Sequence, residues 1–334
     1  MSEKKLKGLV ISGPTGVGKT NLSIELAKKL GCDIISADSM QVYKEMNIGT
    51  AKISKDEMQG IKHHMIDIKT PKDDYSVGDF EEDVNKILKE KEQKEEDVII
   101  VGGTGLYLRA ITDGFSNLPS KNDKIRQKLD EIDTESLADM LKELDEEAHG
   151  QIDLNNRLRL IRAIEVCKLT GQKYSELRTK NIKGNNYKFL KVFLTRDRDE
   201  IYYRIDQRVD KMIEDGLVEE AKEIYTNYRE HLYKISAIGY KELFDHFDGI
   251  ISLEEAIEEI KQESRRYAKR QLTWFRKEED YIVYNLSEMS EEKIMDDILD
   301  KWNKYNIIRG VKNEKIIINF YVCNWYFHIC NKYS

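Results

Sequence analysis

Between the apolar run LVIS and the helix-patterned NLSIELAKKL lies GPTGVGKT, residues 13 to 20. The octet fits G-x-x-x-x-G-K-[ST], with Gly13, Gly18, Lys19 and Thr20 at the fixed positions. A strand that turns through glycines into a helix narrows the available folds sharply, because the turn needs a sheet behind it. Glycines let backbone N–H groups turn inward around phosphate oxygens at a helix N-terminus. Lys19 adds a point charge, and the Thr20 hydroxyl can reach a Mg2+ ion bridging two phosphates. Thr15, Gly16 and Val17 complete the cradle. Kinases, hydrolases and switches all use such a loop, so the remaining chain must say whose phosphates it holds.

The sheet is visible in KGLVISG, CDIISADS and EDVIIVGGTG, short β-branched runs ended by Gly, Asp or Ser and separated by helical patterns. That alternation predicts a parallel sheet covered by helices. A further strand, LKVFLT at residues 190 to 195, follows a long helical and acidic stretch that begins near Pro119. The expected class is therefore α/β: a P-loop NTPase-like parallel sheet with flanking helices, plus a small helical insertion domain. The expected division is a catalytic core of residues 1–115 and 189–308, an insertion at 116–188, and a tail at 309–334. From Arg198 to about residue 305 the pattern reads as helical, with IGY and FDGI as breaks.

In a parallel sheet all strands end at one edge, and ligands sit there. After DIIS come Asp38, Ser39 and Gln41; after VIIV come Gly102, Gly103, Thr104 and Gly105. Asp38 thus stands beside the phosphate loop. It can hold Mg2+, take a proton from a nucleophile, or cap a nearby helix.

The formal net charge is −7, which argues against a polyanionic partner until local charge is inspected. RRYAKRQLTWFRK, residues 265 to 277, carries six basic residues and no acidic one. On a helix, Arg265, Arg266, Lys269, Arg270, Arg276 and Lys277 fall on one side, and Tyr267, Ala268, Leu272, Trp274 and Phe275 on the other. Arg159 and Arg162 lie one turn apart in NNRLRLIR, and Arg204, Arg208 and Lys211 align at i, i+4, i+7. Three basic stripes and a phosphate loop predict a ligand rich in phosphates, partly a small diphosphate and partly a nucleic-acid backbone.

GPTGVGKT, SADSMQVYKEMNIGTAK, HHMIDI, VGGTGLYLRAITDG, RIDQRVDKMIEDGLVEE, AIGYKE and YAKRQLTWFR, in that order, resemble the motif series of the tRNA dimethylallyltransferase (tRNA isopentenyltransferase) family. The resemblance covers about residues 7 to 305. It implies transfer of the five-carbon group of dimethylallyl diphosphate to N6 of the adenosine on the 3′ side of the anticodon. It implies that Asp38 is the base or acceptor, that Thr104 touches tRNA at the reaction centre, and that Arg204 or Arg208 helps hold the departing diphosphate. Because N6 is unreachable in a stacked base, the adenine would be flipped into the pocket. There Asp38, Ser39, Met40 and Gln41 would contact it. The resemblance places further tRNA contacts at Arg126, at Leu158 to Arg162 including Arg159, at Ser236 to Lys241 including Gly239, and at Lys269 to Arg276 including Arg270 and Gln271. The insertion would clamp the anticodon stem-loop.

Four cysteines without a framework spacing, no apolar signal core and no run of about 20 apolar residues predict a soluble cytoplasmic protein. A monomer without a membrane partner is expected. Cys32 and Cys167 sit in apolar contexts and read as core; His63 and His64, leading a strand in HHMIDI, read as structural. VKNEKIIINFYVCNWYFHICNKYS, with Cys323, His328 and Cys330, departs from the family pattern and has no bearing on the expected chemistry. Two other readings compete: a small-molecule or nucleoside kinase with Asp38 as its base, and a P-loop switch that binds RNA. The kinase leaves the basic stripes unused, and the switch leaves DSMQ and GGTG without a role.

Overall fold

The computed structural model describes residues 7–114, 118–119, 121–180 and 187–307. Among the described residues six strands form one sheet: β1 (Lys7–Ser12), β2 (Asp33–Ser36), β3 (His63–His64), β4 (Val98–Gly102), β5 (Lys188–Thr195) and β6 (Ile282–Asn285). Their order is β3-β2-β4-β1-β5-β6, and every pair is parallel. β1 is central: Leu9 registers with Ile99 of β4 on one side and Leu190 of β5 on the other. All six of its residues are buried, as a strand covered on both faces requires.

The helix α1 (Lys19–Leu30) follows the phosphate loop, and α2 (Val77–Gln93) and α3 (Gly105–Thr112) flank β4. In α2 the buried Phe80, Val84 and Leu88 recur every four residues and pack with Val10, Ile35 and Ile100 of the sheet. A capping box between Ser76 and Asp79 satisfies the first N–H groups and starts that helix.

Between α3 and β5 lie α4 (Asp123–Asp130), α5 (Thr134–Leu144), α6 (Glu146–Gln151), α7 (Arg157–Thr170) and α8 (Tyr174–Lys180). They have an apolar core of their own, built from Leu129, Leu137, Leu141, Ala148, Leu160, Ile161 and Ile164. Beside that core is the fully buried Glu165 carboxylate, which accepts from the Asn122 N–H and from both Arg126 and Arg162.

After β5 come α9 (Arg198–Glu214), α10 (Leu217–Asn227), a 3-10 turn (Arg229–Lys234), α11 (Tyr240–Phe247) and α12 (Leu253–Phe275). These enclose a further core of Val209, Leu217, Ile224, Tyr240, Leu243 and Ile260, to which the loop after β2 contributes Met46. α13 (Glu291–Ile307) follows β6. The chain divides into Met1–Met295 and a small unit from Asp296, in which Lys301–Asp297 and Lys304–Asp300 pair at i, i+4.

Three expectations about local structure need correction. The helical reading from Arg198 to about 305 misses β6, whose four residues are too few for a periodicity to register. The strand expected in HHMIDI ends at His64, because Met65 and Asp67 adopt left-handed backbone at φ 65° and 56°. Finally, the basic helix stops at Phe275, so Arg276 caps it and Lys277 lies beyond. Cys323, His328, Cys330 and the tail from residue 309 lie outside the described residues.

Candidate active site

A cleft of about 870 Å3 opens at the C-terminal edge of the sheet. Gly18 has φ 111°, a left-handed conformation suited to glycine, and brings the chain from β1 into the first turn of α1. Thr15, Gly16, Gly18, Lys19 and Thr20 line the cleft. The Lys19 ammonium donates to the carbonyls of Gly13 and Pro14, at 2.8 Å each. Gly13 therefore shapes the loop from behind. Val17 does the same: its side chain is buried, and its carbonyl accepts from the Arg196 guanidinium at 3.0 Å.

From the end of β2, Asp38, Ser39, Met40 and Gln41 form the opposite wall. One Asp38 oxygen accepts from the N–H groups of Met40, at 2.9 Å, and Gln41, at 3.4 Å, so the carboxylate folds its own turn. The Gln41 amide is held inside the protein, accepting from the Ser36 hydroxyl and donating to the carbonyls of Thr50 and Ala51. Thr104 stands behind Ser39, its hydroxyl accepting that residue's N–H at 3.3 Å.

α9 brings Arg204 and Arg208 to the cleft. Arg204 donates to the Gly16 carbonyl at 2.8 Å. Lys211, by contrast, turns out to Asp215 and Glu214, so the expected third stripe is divided between site and solvent. Burial first, then the Arg208 guanidinium, lowers the Lys19 ammonium to about 7, while Asp38 works in the opposite direction. Burial likewise depresses the Arg208 guanidinium, again opposed by Asp38. Two partly desolvated cations thus share a single carboxylate, and a bound anion with two or more charges would relieve both.

α12 closes the site. The Gln271 amide is buried and ties two strand ends together, accepting the Thr15 N–H at 3.0 Å and donating to the Gly103 carbonyl at 2.9 Å. A side chain at Gly103 would collide with that amide, its Cβ standing 2.2 Å from the Gln271 nitrogen. One turn earlier, Tyr267 hydrogen-bonds with Thr104 and Gln271 and has the Arg270 guanidinium 5.7 Å from its ring centre. Burial and the Asp38 charge push its phenol up to about 12, so it remains neutral, while the Thr104 and Gln271 bonds work in the opposite direction. Assigning Tyr267 to the apolar side of the helix concealed it. The usable signal was the i, i+4 pair of Tyr267 and Gln271, which faces the strand ends.

The exposed side of α12 presents Arg266, Lys269 and Arg270, with Arg276 beyond its end. Glu263 pairs with Arg266 at 2.5 Å and approaches Arg270 at 3.9 Å, and Arg265 is bound to Asp206. Gly239 lines the cleft and Lys241 is exposed beside it. In the α4–α8 segment the expected contact residues separate into two kinds. Leu158 and Arg159 are exposed, Leu158 at 77%, whereas Arg126 and Arg162 are half-buried and bound to Glu165. Helical spacing sets Arg162 and Glu165 three apart on one face of α7, but it cannot reveal Arg126, which comes from α4.

His64 pairs with Asp33 at 2.8 Å and His63 with the Ile61 carbonyl at 2.9 Å, at the far end of the sheet from the cleft. Cys32 and Cys167 are buried. Among the described residues no helix is long and apolar enough to cross a membrane.

The family model described as IPP transferase matches residues 41–278. The chain belongs to this family. It is 52% identical over 297 residues to the tRNA dimethylallyltransferase of Fusobacterium nucleatum subsp. nucleatum, covering 89% of this chain and 97% of that one. The corresponding enzyme of Halalkalibacterium halodurans is 41% identical, covering 93% and 99%. Among solved structures, a full-length tRNA isopentenylpyrophosphate transferase from Bacillus halodurans superposes with a TM-score of 0.69 at 38% identity, covering 92% of this chain and 100% of that one. A eukaryotic dimethylallyltransferase acting on tRNA reaches 0.77 at 27% identity, covering 93% and 81%. The P-loop NTPase-like fold and the class of prenyl-transferring transferases follow from this membership.

A transferase that acts on a diphosphate generally calls for a divalent cation. The residues present suit a hard one: the exposed Thr20 hydroxyl and the Asp38 carboxylate line the same cleft and supply only oxygen.

Proposed function

We propose that this chain transfers the dimethylallyl group of dimethylallyl diphosphate to N6 of the adenosine 3′-adjacent to the anticodon of tRNA. The observation that carries the reading is the charge imbalance of the cleft. Lys19, Arg204, Arg208 and Arg270 line it with a single lining carboxylate, Asp38, and α12, whose outer face is basic, contributes to the same cleft.

The allylic C–O bond breaks with carbocation character, and its electron pair leaves on the diphosphate. Lys19, Arg208, Arg204 and the N-terminal N–H groups of α1 are in place for that growing charge and need little reorganisation. The N6 lone pair forms the new C–N bond, and the proton it sheds passes to the free oxygen of Asp38. Tyr267 and Ser39 fix the Thr104 hydroxyl behind this point. Mg2+, held by Thr20 and by phosphate oxygens, would supply further charge neutralisation to the leaving group.

The residues 116–188 act as a clamp on the anticodon stem-loop, with Arg159 and Leu158 outermost. Arg126 and Arg162 set the shape of that clamp through Glu165. Lys269 and Arg270 of α12 and Arg276 at its end take the RNA backbone, with Gly239 and Lys241 at the neighbouring rim. The protein works as a monomer in the cytoplasm.

The test is incubation of the purified protein with unmodified tRNA, Mg2+ and, in parallel, dimethylallyl diphosphate or ATP, followed by nucleoside mass analysis. Addition of a five-carbon group to adenosine with the diphosphate donor alone is expected. ATP consumption without that addition would return the loop to a kinase.

A further inference from the structure

The loop after β2 is held by a residue that does not itself line the cleft. Three successive backbone N–H groups, of Asn47, Ile48 and Gly49, converge on the Glu220 carboxylate at 2.8 to 3.1 Å. A fourth donor, the Tyr240 hydroxyl, reaches it at 2.6 Å. Such a row of N–H groups forms a concave anion nest, and here the anion is a side chain delivered by α10. Gly49 is required for the fit: a Cβ there would stand 2.5 Å from the ring of the fully buried Tyr240.

The clasp matters because of what lies on its other side. Gly49, Thr50 and Ala51 line the cleft, and the Thr50 and Ala51 carbonyls hold the Gln41 amide. Tyr240 in turn follows the stretch Ser236 to Gly239, which lines the facing rim. One carboxylate therefore sets the spacing between two walls of the cleft, both remote from the phosphate loop.

We infer that Glu220 is a positioning residue for the acceptor side of the site, fixing the wall formed by Gln41 and residues 49–51 against the rim at residues 236–239. This rests on the functional reading above, in which that wall receives the adenine. The carboxylate is needed as such. In Glu220→Gln one of the two acceptor oxygens becomes an NH2 donor facing N–H donors, and the nest loses the bonds to that oxygen, and the negative charge, while keeping its volume.

The experiment compares wild type, Glu220→Gln and Tyr240→Phe by steady-state kinetics in each substrate, thermal unfolding, and amide hydrogen exchange of residues 47–49. Glu220→Gln should lower kcat/KM for tRNA about tenfold or more, as loss of bonds to a charged acceptor predicts. The KM for dimethylallyl diphosphate should hold, and exchange at Asn47, Ile48 and Gly49 should accelerate. Tyr240→Phe removes one donor of four and should move the same quantities less. An unchanged KM for both substrates with a reduced active fraction would overturn the inference, as would a rise confined to the donor KM. Wild-type protein that fails to modify tRNA in the same assay would instead defeat the functional reading, and the exchange result would stand apart from it.

Discussion

At Lys19, burial and the neighbouring Arg208 guanidinium pull the ammonium down to about 7 against the support of Asp38. Between that value and the ordinary lysine range, the unfolded chain keeps a proton that the folded chain has released. Raising the pH across that window therefore favours the folded state at this position. A bound diphosphate favours the charged ammonium and reverses the shift, so donor binding near pH 7.5 should take up protons (~0.5 or more per site if the bound ammonium returns to its ordinary range). Calorimetry in buffers of different ionisation enthalpy measures that uptake, and Lys19→Met should abolish it. Asp38 calls for a different substitution. Because its oxygen also holds the Met40 and Gln41 N–H groups, Asp38→Asn keeps the turn while removing the proton acceptor and the negative charge that faces Lys19 and Arg208. Turnover should fall about 100-fold or more while tRNA affinity holds. Tyr267→Phe should lower kcat by roughly tenfold through loss of the Thr104 bond. It should leave the pH profile below pH 9 unmoved, since burial and the Asp38 charge push the phenol up to about 12.

At the scale of elements, α12 serves two purposes on one cylinder. Its inner row ties Thr15 to Gly103 through Gln271, and its outer face carries Lys269 and Arg270. Reversing both outer charges should reduce the salt slope of tRNA binding by about 1.4, at ~0.7 per single-strand phosphate contact. Measurement between 50 and 200 mM salt, as chosen conditions, reads this directly. The split also explains what was legible beforehand. Strands β1, β2, β4 and β5 announce themselves by β-branched runs, and the phosphate loop by its spacing, because both are local properties. The outer charges of α12 were equally readable. Gln271 enters the tRNA-contact set through the family resemblance, and spacing alone does not show that its amide also ties two strand ends together, one of them 256 residues away. The recruitment of Arg126 by Glu165, 39 residues on, is hidden in the same way. Sequence periodicity reports which face a residue occupies, and only the folded arrangement reports what meets it there.

At the scale of the whole molecule, the α4–α8 segment depends on Glu165. Burial alone would raise this carboxyl, but hydrogen bonds from Arg126, Asn122 and Arg162 outweigh it and hold it below the ordinary carboxylate range. Its contribution is accordingly present above the ordinary carboxylate value and lost as the pH falls through the depressed one. Glu165→Ala leaves two guanidinium groups half-buried without their partner and should cost about 3–5 kcal/mol, read by denaturant unfolding at neutral pH. The site itself is assembled from distant pieces of chain. Thr15 of the phosphate loop waits for Gln271, and Val17 waits for Arg196, 179 residues on. During synthesis, then, a nascent chain that has left the ribosome only as far as β4 owns the loop's residues without the anchors that shape it. A donor analogue added to translating ribosomes would find its site only on chains whose α12 has emerged, and so would count finished protein, not protein in the making.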